Sequence, residues 1–89
     1  MMKNKEEFWK PLENESIEGV LVEVNENAGK YDNTLYKIRS DDKTYCVWES
    51  VELKELFDNV EVDDRIYLKY VGITKSGEYY KKIYELEIL

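Results

Sequence analysis

The sequence predicts an all-β domain with one short helix: a five-stranded Greek-key barrel in the order β-β-β-α-β-β. Three observations carry this. Apolar residues alternate with polar ones in five segments, the period turns helical once, near residues 50–58, and the 89 residues include eight tyrosines. Tyrosine suits a strand because its ring packs on a pleated surface while its hydroxyl stays wet. A chain of this length makes one domain and buries roughly 60–65% of the surface its unfolded form exposes, so the core is thin.

Residues 1–15 read as an N-terminal arm closed by Pro11, the only proline, with Phe8 and Trp9 packing on the domain edge. The domain proper is expected over 16–89. Its first strand is Ser16–Glu26, with Val20, Val22 and Val24 facing inward and Leu21 and Glu23 outward. Gly19 permits a bulge or sharp coil near the start of that strand. Residues Asn27–Asn33 are a loop by composition. Strand two, Thr34–Ser40, turns through Asp41-Asp42-Lys43 into strand three, Thr44–Glu49, which makes a hairpin. Ser50 is placed to cap a two-turn helix that carries Val51, Leu53, Leu56 and Phe57. Val60 and Val62 are expected to pack beneath it. Strand four is Arg65–Gly72, with Ile66, Leu68 and Tyr70 in one phase. A turn at Thr74–Glu78 leads into strand five, Tyr79–Leu89, with Tyr84, Leu86 and Ile88 in phase. Tyr79 and Tyr80 are consecutive, so one should face in and the other out. A long first strand and a helix between strands three and four make the layout of the OB-fold.

Composition narrows the function. The chain holds no histidine, which removes the commonest general base and metal ligand. No Cys/His cluster suits zinc, and no glycine-rich phosphate or dinucleotide motif occurs. The paired carboxylates Glu52/Glu55 and Asp63/Asp64 read as solvated acids. The expectation is a non-enzyme without catalytic residues, metal or cofactor. Lone Cys46 forms no internal disulfide and reads as a buried strand residue of a reducing compartment. With no apolar run of membrane-spanning length and no apolar core in Met1–Glu7, a cytoplasmic protein is expected, with no membrane partner.

The formal net charge of −7 disfavours nucleic acid until its distribution is read. Residues 49–64 carry net −6, whereas 65–82 carry net +4 and 30–48 net +1. An anion-binding surface must come from those last two segments. Sequence-tolerant binding of a single strand needs aromatic faces for bases and a basic track for phosphates. The strand phases offer Lys37, Arg39, Tyr67, Lys69, Tyr79 and Lys81 as an outward platform. Lys30 and Tyr31 from the first loop, and Lys75, Tyr80 and Lys82 from the last hairpin, could close over it. Trp48 is the leading stacking residue, though a core position against the helix fits its pattern equally well. Tyr36 shares the phase of Ile38 and is favoured for the core. Lys37 and Arg39 could instead simply pair with Asp41 or Asp42.

The segment Tyr45-Cys46-Val47-Trp48-Glu49-Ser50, the helix ending Leu56-Phe57, the run Val62-Asp63-Asp64-Arg65-Ile66, and Tyr70-Val71-Gly72 before a Lys- and Gly-containing turn together resemble the OB domains of the replication-protein-A-like group. The resemblance covers roughly residues 16–88 and is nearest to small phage-type single-stranded DNA-binding proteins. It implies sequence-independent binding of single-stranded DNA, or RNA, in replication or recombination. The first loop departs from a close match, since Lys30 is its only basic residue. The competing expectation is a protein-interaction module or inhibitor acting through the acidic surface at Glu52, Glu55 and Asp58. An exposed strand edge would also allow a homodimer.

Overall fold

In the computed structural model, residues 5–41 and 43–89 are described. Met1–Asn4 and Asp42, part of the expected Asp41–Lys43 turn, lie outside them. The elements are β1 (Lys5–Phe8), β2 (Ser16–Ala28), β3 (Asn33–Ser40), β4 (Lys43–Trp48), α1 (Val51–Phe57), β5 (Arg65–Ser76) and β6 (Tyr79–Ile88). The fold is mostly β with one short helix, as the alternation indicates.

Two expectations about the sheet are corrected. Among the described residues there are six strands and not five, in the order β1-β4-β3-β2-β5-β6, and the sheet they form does not close into a barrel. Both corrections have one cause. The arm contributes β1, which pairs in parallel with β4 from Lys5↔Lys43 to Phe8↔Cys46. It occupies the edge hydrogen-bonding groups that β6 would need for closure. Trp9 extends this contact, its amide donating to the Cys46 carbonyl at 3.0 Å. Beyond β4, α1 packs against β6.

The inward phase of β2 is also corrected. Ile17, Gly19 and Leu21 are buried, while Val22 and Val24 are exposed. Leu21 pairs with Ile38 and Val24 with Tyr36, so β2 spends three residues where β3 spends two. The phase of Ile17, Gly19 and Leu21 turns Val20 and Val22 outward, against the valine spacing, and the bulge then returns Val24 to the face of its partner Tyr36, beside Leu21 and Phe57. The loop before β5 secures it: the Leu21 amide donates to the Asp64 carbonyl, and the Asp63 amide donates to the Leu21 carbonyl. The first half of β2 pairs with β5 and the second half with β3.

The core gathers Ile17, Leu21, Tyr36, Ile38, Val47, Leu53, Phe57, Ile66 and Leu68, with Trp9, Leu56, Val60 and Leu86 packed around it. Ser50 caps α1 as expected, accepting from the Leu53 amide. Val62 does not join the core, and Ile88 is half exposed. On the outer face Ala28, Leu35 and Cys46 form a second, smaller buried cluster.

The last hairpin is longer than its turn signals suggest. β5 runs to Ser76 and pairs it with Tyr79, leaving only Gly77 and Glu78 in the turn. Gly77, at φ 64, supplies the positive angle that a two-residue turn with glycine first requires. Residues 73–82 are all exposed, so this hairpin projects past the core and stretches the molecule to 50 Å against 29 and 23 Å. Hence Tyr79 and Tyr80 are both solvent-exposed, contrary to the one-in, one-out expectation: at that point neither face has a core beneath it.

Candidate nucleic-acid interface

Where the open sheet leaves a gap, a cleft of about 680 Å³ lies between the arm, the end of β4 and the base of the β5–β6 hairpin. Its walls are Phe8 to Leu12 from the arm, Cys46 to Trp48 from β4, Tyr70 from β5, and Lys82 and Tyr84 from β6. The size is that of ordinary ligand pockets. Its aromatic rings are in mutual contact in two groups. Trp9 lies 6.2 Å from Tyr84, which lies 5.4 Å from Tyr70, and Phe8 stacks on Trp48 at 5.8 Å and 16°. Among the described residues, the charged ones that line it are Lys10 and Lys82, with no carboxylate. In a chain of net charge −7, that local sign is informative.

The hairpin continues this surface. Cross-strand pairing joins Lys75 to Tyr80 and Ile73 to Lys82, while Thr74 joins Lys81 and Ser76 joins Tyr79. Strand alternation therefore puts Tyr80 and Lys82 on the face of Tyr84, turned toward the cleft, with Lys75 and Ile73 beside them. Tyr79 and Lys81 occupy the opposite face. Lys81 lies instead with Lys82 and Ile83 near Glu52 and Glu55 of α1.

The sequence-derived candidates are divided by this geometry. Tyr67 and Lys69 face outward on β5, but Tyr67 sits between Glu18 and Glu87, and Lys69 between Ser16 and Glu85. Ser76, the partner of Tyr79, stands nine positions beyond Tyr67 along β5. At about 3.3 Å per residue the two tyrosines are about 30 Å apart and share no platform. Among the described residues, Lys37 pairs with acids of β1 and β2, and Asp42 lies outside them. Its ammonium lies 3.2 Å from Glu6 and 3.8 Å from Glu23, and the hydrogen bond it donates to Glu6 raises its pKa. Arg39 is exposed, its Nε donating to the Asp41 carbonyl. Lys30 and Tyr31 are exposed in the β2–β3 loop, with the ammonium 5.9 Å from the ring centroid. Trp48 resolves to the outer face. It is half exposed, with Phe8 on one side and Gly29 close to the far edge of its indole.

Phe8, Trp9, Lys10, Tyr70 and Tyr84 were absent from the sequence-derived set. An available signal was the cluster Phe8-Trp9-Lys10, two large rings and a cation side by side in the arm.

Tyr36 is buried, as its phase indicates. It stacks on Phe57 at 4.1 Å and donates to the Glu49 carboxylate at 2.5 Å. Burial, reinforced by that carboxylate, pushes its pKa well above the ordinary tyrosine value. Burial likewise raises Tyr84 and the Cys46 thiol. A raised acid is held protonated by the folded state, so the unfolded chain releases protons first as pH rises. Stability should therefore begin to fall above about pH 8.5 and steepen above about pH 10. Urea midpoints measured from pH 7 to 11 check this, and Tyr36→Phe should flatten the upper part of the loss. An unchanged slope in that variant would contradict the assignment.

Among the described residues no group of three or more His, Cys, Asp or Glu is arranged to hold a metal ion, and no helix is long and apolar enough to cross a membrane. No protein-family model, curated protein or solved structure matches the chain.

Proposed function

We propose that this chain is an OB-type domain that binds single-stranded nucleic acid without sequence preference, along the inner face of the β5–β6 hairpin and into the cleft at its base. The observation that carries the reading is the meeting of Trp9, Trp48, Tyr70 and Tyr84 with Lys10 and Lys82 around one cleft, with Tyr80 and its partner Lys75 farther along the same face of the hairpin, in a strongly acidic chain. Rings and cations together are what sequence-tolerant strand binding uses: stacking holds the bases and lysines follow the phosphates. Of the acids in 49–64, Glu52 and Glu55 of α1 lie near Lys81 and Lys82 at the hairpin base, and none lines the cleft. The neighbour order β4-β3-β2-β5-β6, with α1 between β4 and β5, supports the OB-type assignment: it is the order such a Greek-key barrel would have if opened between its third and fifth strands.

A second reading keeps one observation of its own. Val51 is 73% exposed at the start of the acidic helix, beside Glu52 and near Glu55, which suits a basic protein partner with an apolar contact. Amide chemical-shift mapping separates the two. Addition of a dT oligonucleotide should move resonances at 73–84, 9–12 and 46–48. Shifts confined to α1 and residues 58–64 would remove the nucleic-acid reading and favour a protein partner.

A further inference from the structure

We propose that β1 is a built-in mimic of a nucleic-acid strand, covering the outer β3–β4 face until a single strand displaces it. The inference rests on the nucleic-acid reading above. That face carries two neighbouring groups suited to a nucleotide, Lys37 and Trp48: Lys37 pairs with Cys46, and Leu35 beside it pairs with Trp48. The arm engages both. Glu6 and Phe8, two apart along β1, project to the same side of the strand. The Glu6 carboxylate lies 3.2 Å from the Lys37 ammonium, where a phosphate would sit. The Phe8 ring lies parallel to the Trp48 indole at 5.8 Å, where a base would stack. On the other side of β1, Glu7 pairs with Lys43 at 3.0 Å and pins the strand to β4.

Three properties make this arm displaceable. β1 is four residues long and lies at the sheet edge. Its ion pairs are between partly exposed side chains, which contribute little and weaken with salt. Phe8 remains 50% exposed on top of the indole and joins no buried core. Trp9, by contrast, packs on the core and against Tyr84, so the cleft wall persists when residues 5–8 lift away. A strand entering from the cleft would then run past Trp48 onto Lys37.

The test is a titration of labelled dT20 at low salt with the full chain, with the double variant Glu6→Gln/Phe8→Ala, and with Glu61→Gln as a single-charge control on an exposed loop. The double variant should bind about tenfold more tightly than the parent, the factor expected when one competing stack is removed, and the control should not. If the parent binds and the double variant gains nothing, or gains no more than the control, β1 is not a mask, while the binding reading stands. If neither protein binds, the nucleic-acid reading falls and this inference with it. A measurement on the unaltered chain guards against misfolding of the variant: saturating dT20 should speed hydrogen exchange of the β1 amides. Slowed or unchanged exchange there would overturn the displacement.

Discussion

Gly19→Ala is expected to lower the thermal midpoint by at least about 12 °C, corresponding to a loss of about 3 kcal/mol for a domain of this size. The reason is the coil of β2. Gly19 pairs with Ile66 of β5, while the next residue, Val20, pairs with both Arg39 and Arg65, so three strands converge there. A Cβ at Gly19 would fall inside van der Waals contact of the Arg39 carbonyl oxygen and 3.1 Å from the Ile38 methyl. The carbonyl is backbone in a paired strand and cannot swing aside as a side chain would. The added methyl must push β2 from β3 at the point where both bury Leu21 and Ile38 in the core. Gly77→Ala is the contrast. Nothing lies within 4 Å of its Cβ position, so only the φ of 64 is strained and about 1 kcal/mol should be lost. Thermal denaturation followed by circular dichroism checks both. A Gly19→Ala midpoint within about 3 °C of the parent would mean the strands do not approach this closely.

Tyr80→Ala should weaken single-strand binding by about 1–3 kcal/mol while leaving stability unchanged, because the hairpin tip has no core beneath it. Tyr79→Ala should leave affinity nearly unaltered. The two tyrosines are adjacent in sequence and almost equally exposed, at 79% and 74%, so exposure cannot distinguish them. Strand alternation does: Tyr80 shares the face of Lys82, Lys75 and Tyr84, while Tyr79 faces away with Lys81. Neutralising Lys75 and Lys82 together should lower the slope of log K against log salt by about 1.4, since each phosphate contact to a single strand contributes about 0.7. Equal losses for Tyr79→Ala and Tyr80→Ala would reject a one-sided surface.

What was legible in the sequence was local. The hairpins, the capped helix after Ser50, the inward phase of Ile66, Leu68 and Tyr70, and the burial of Tyr36 and Cys46 all follow from periods of a few residues, and these survive folding. Three features escaped because they depend on contacts far along the chain. β1 is Lys-Glu-Glu-Phe, with no alternation to mark it, and becomes a strand only because β4 offers an edge. The face of β2 is set by Ile17 and Leu21, and the bulge that brings Val24 back to it is invisible in the valine spacing. The reach of the last hairpin depends on where the core ends, which alternation does not record. The candidate surface divides the same way. The basic, tyrosine-rich hairpin was visible in composition. The cleft was not, because Trp9, Trp48, Tyr70 and Tyr84 come from four separate segments that meet only where the sheet stays open.

The most direct test of the binding reading is fluorescence anisotropy of labelled dT20 titrated with the protein at low and moderate salt, with a duplex of the same length as control. The account predicts binding to the single strand that weakens as salt rises and exceeds binding to the duplex. Absence of binding at tens of micromolar protein in low salt, or a preference for duplex, would contradict it.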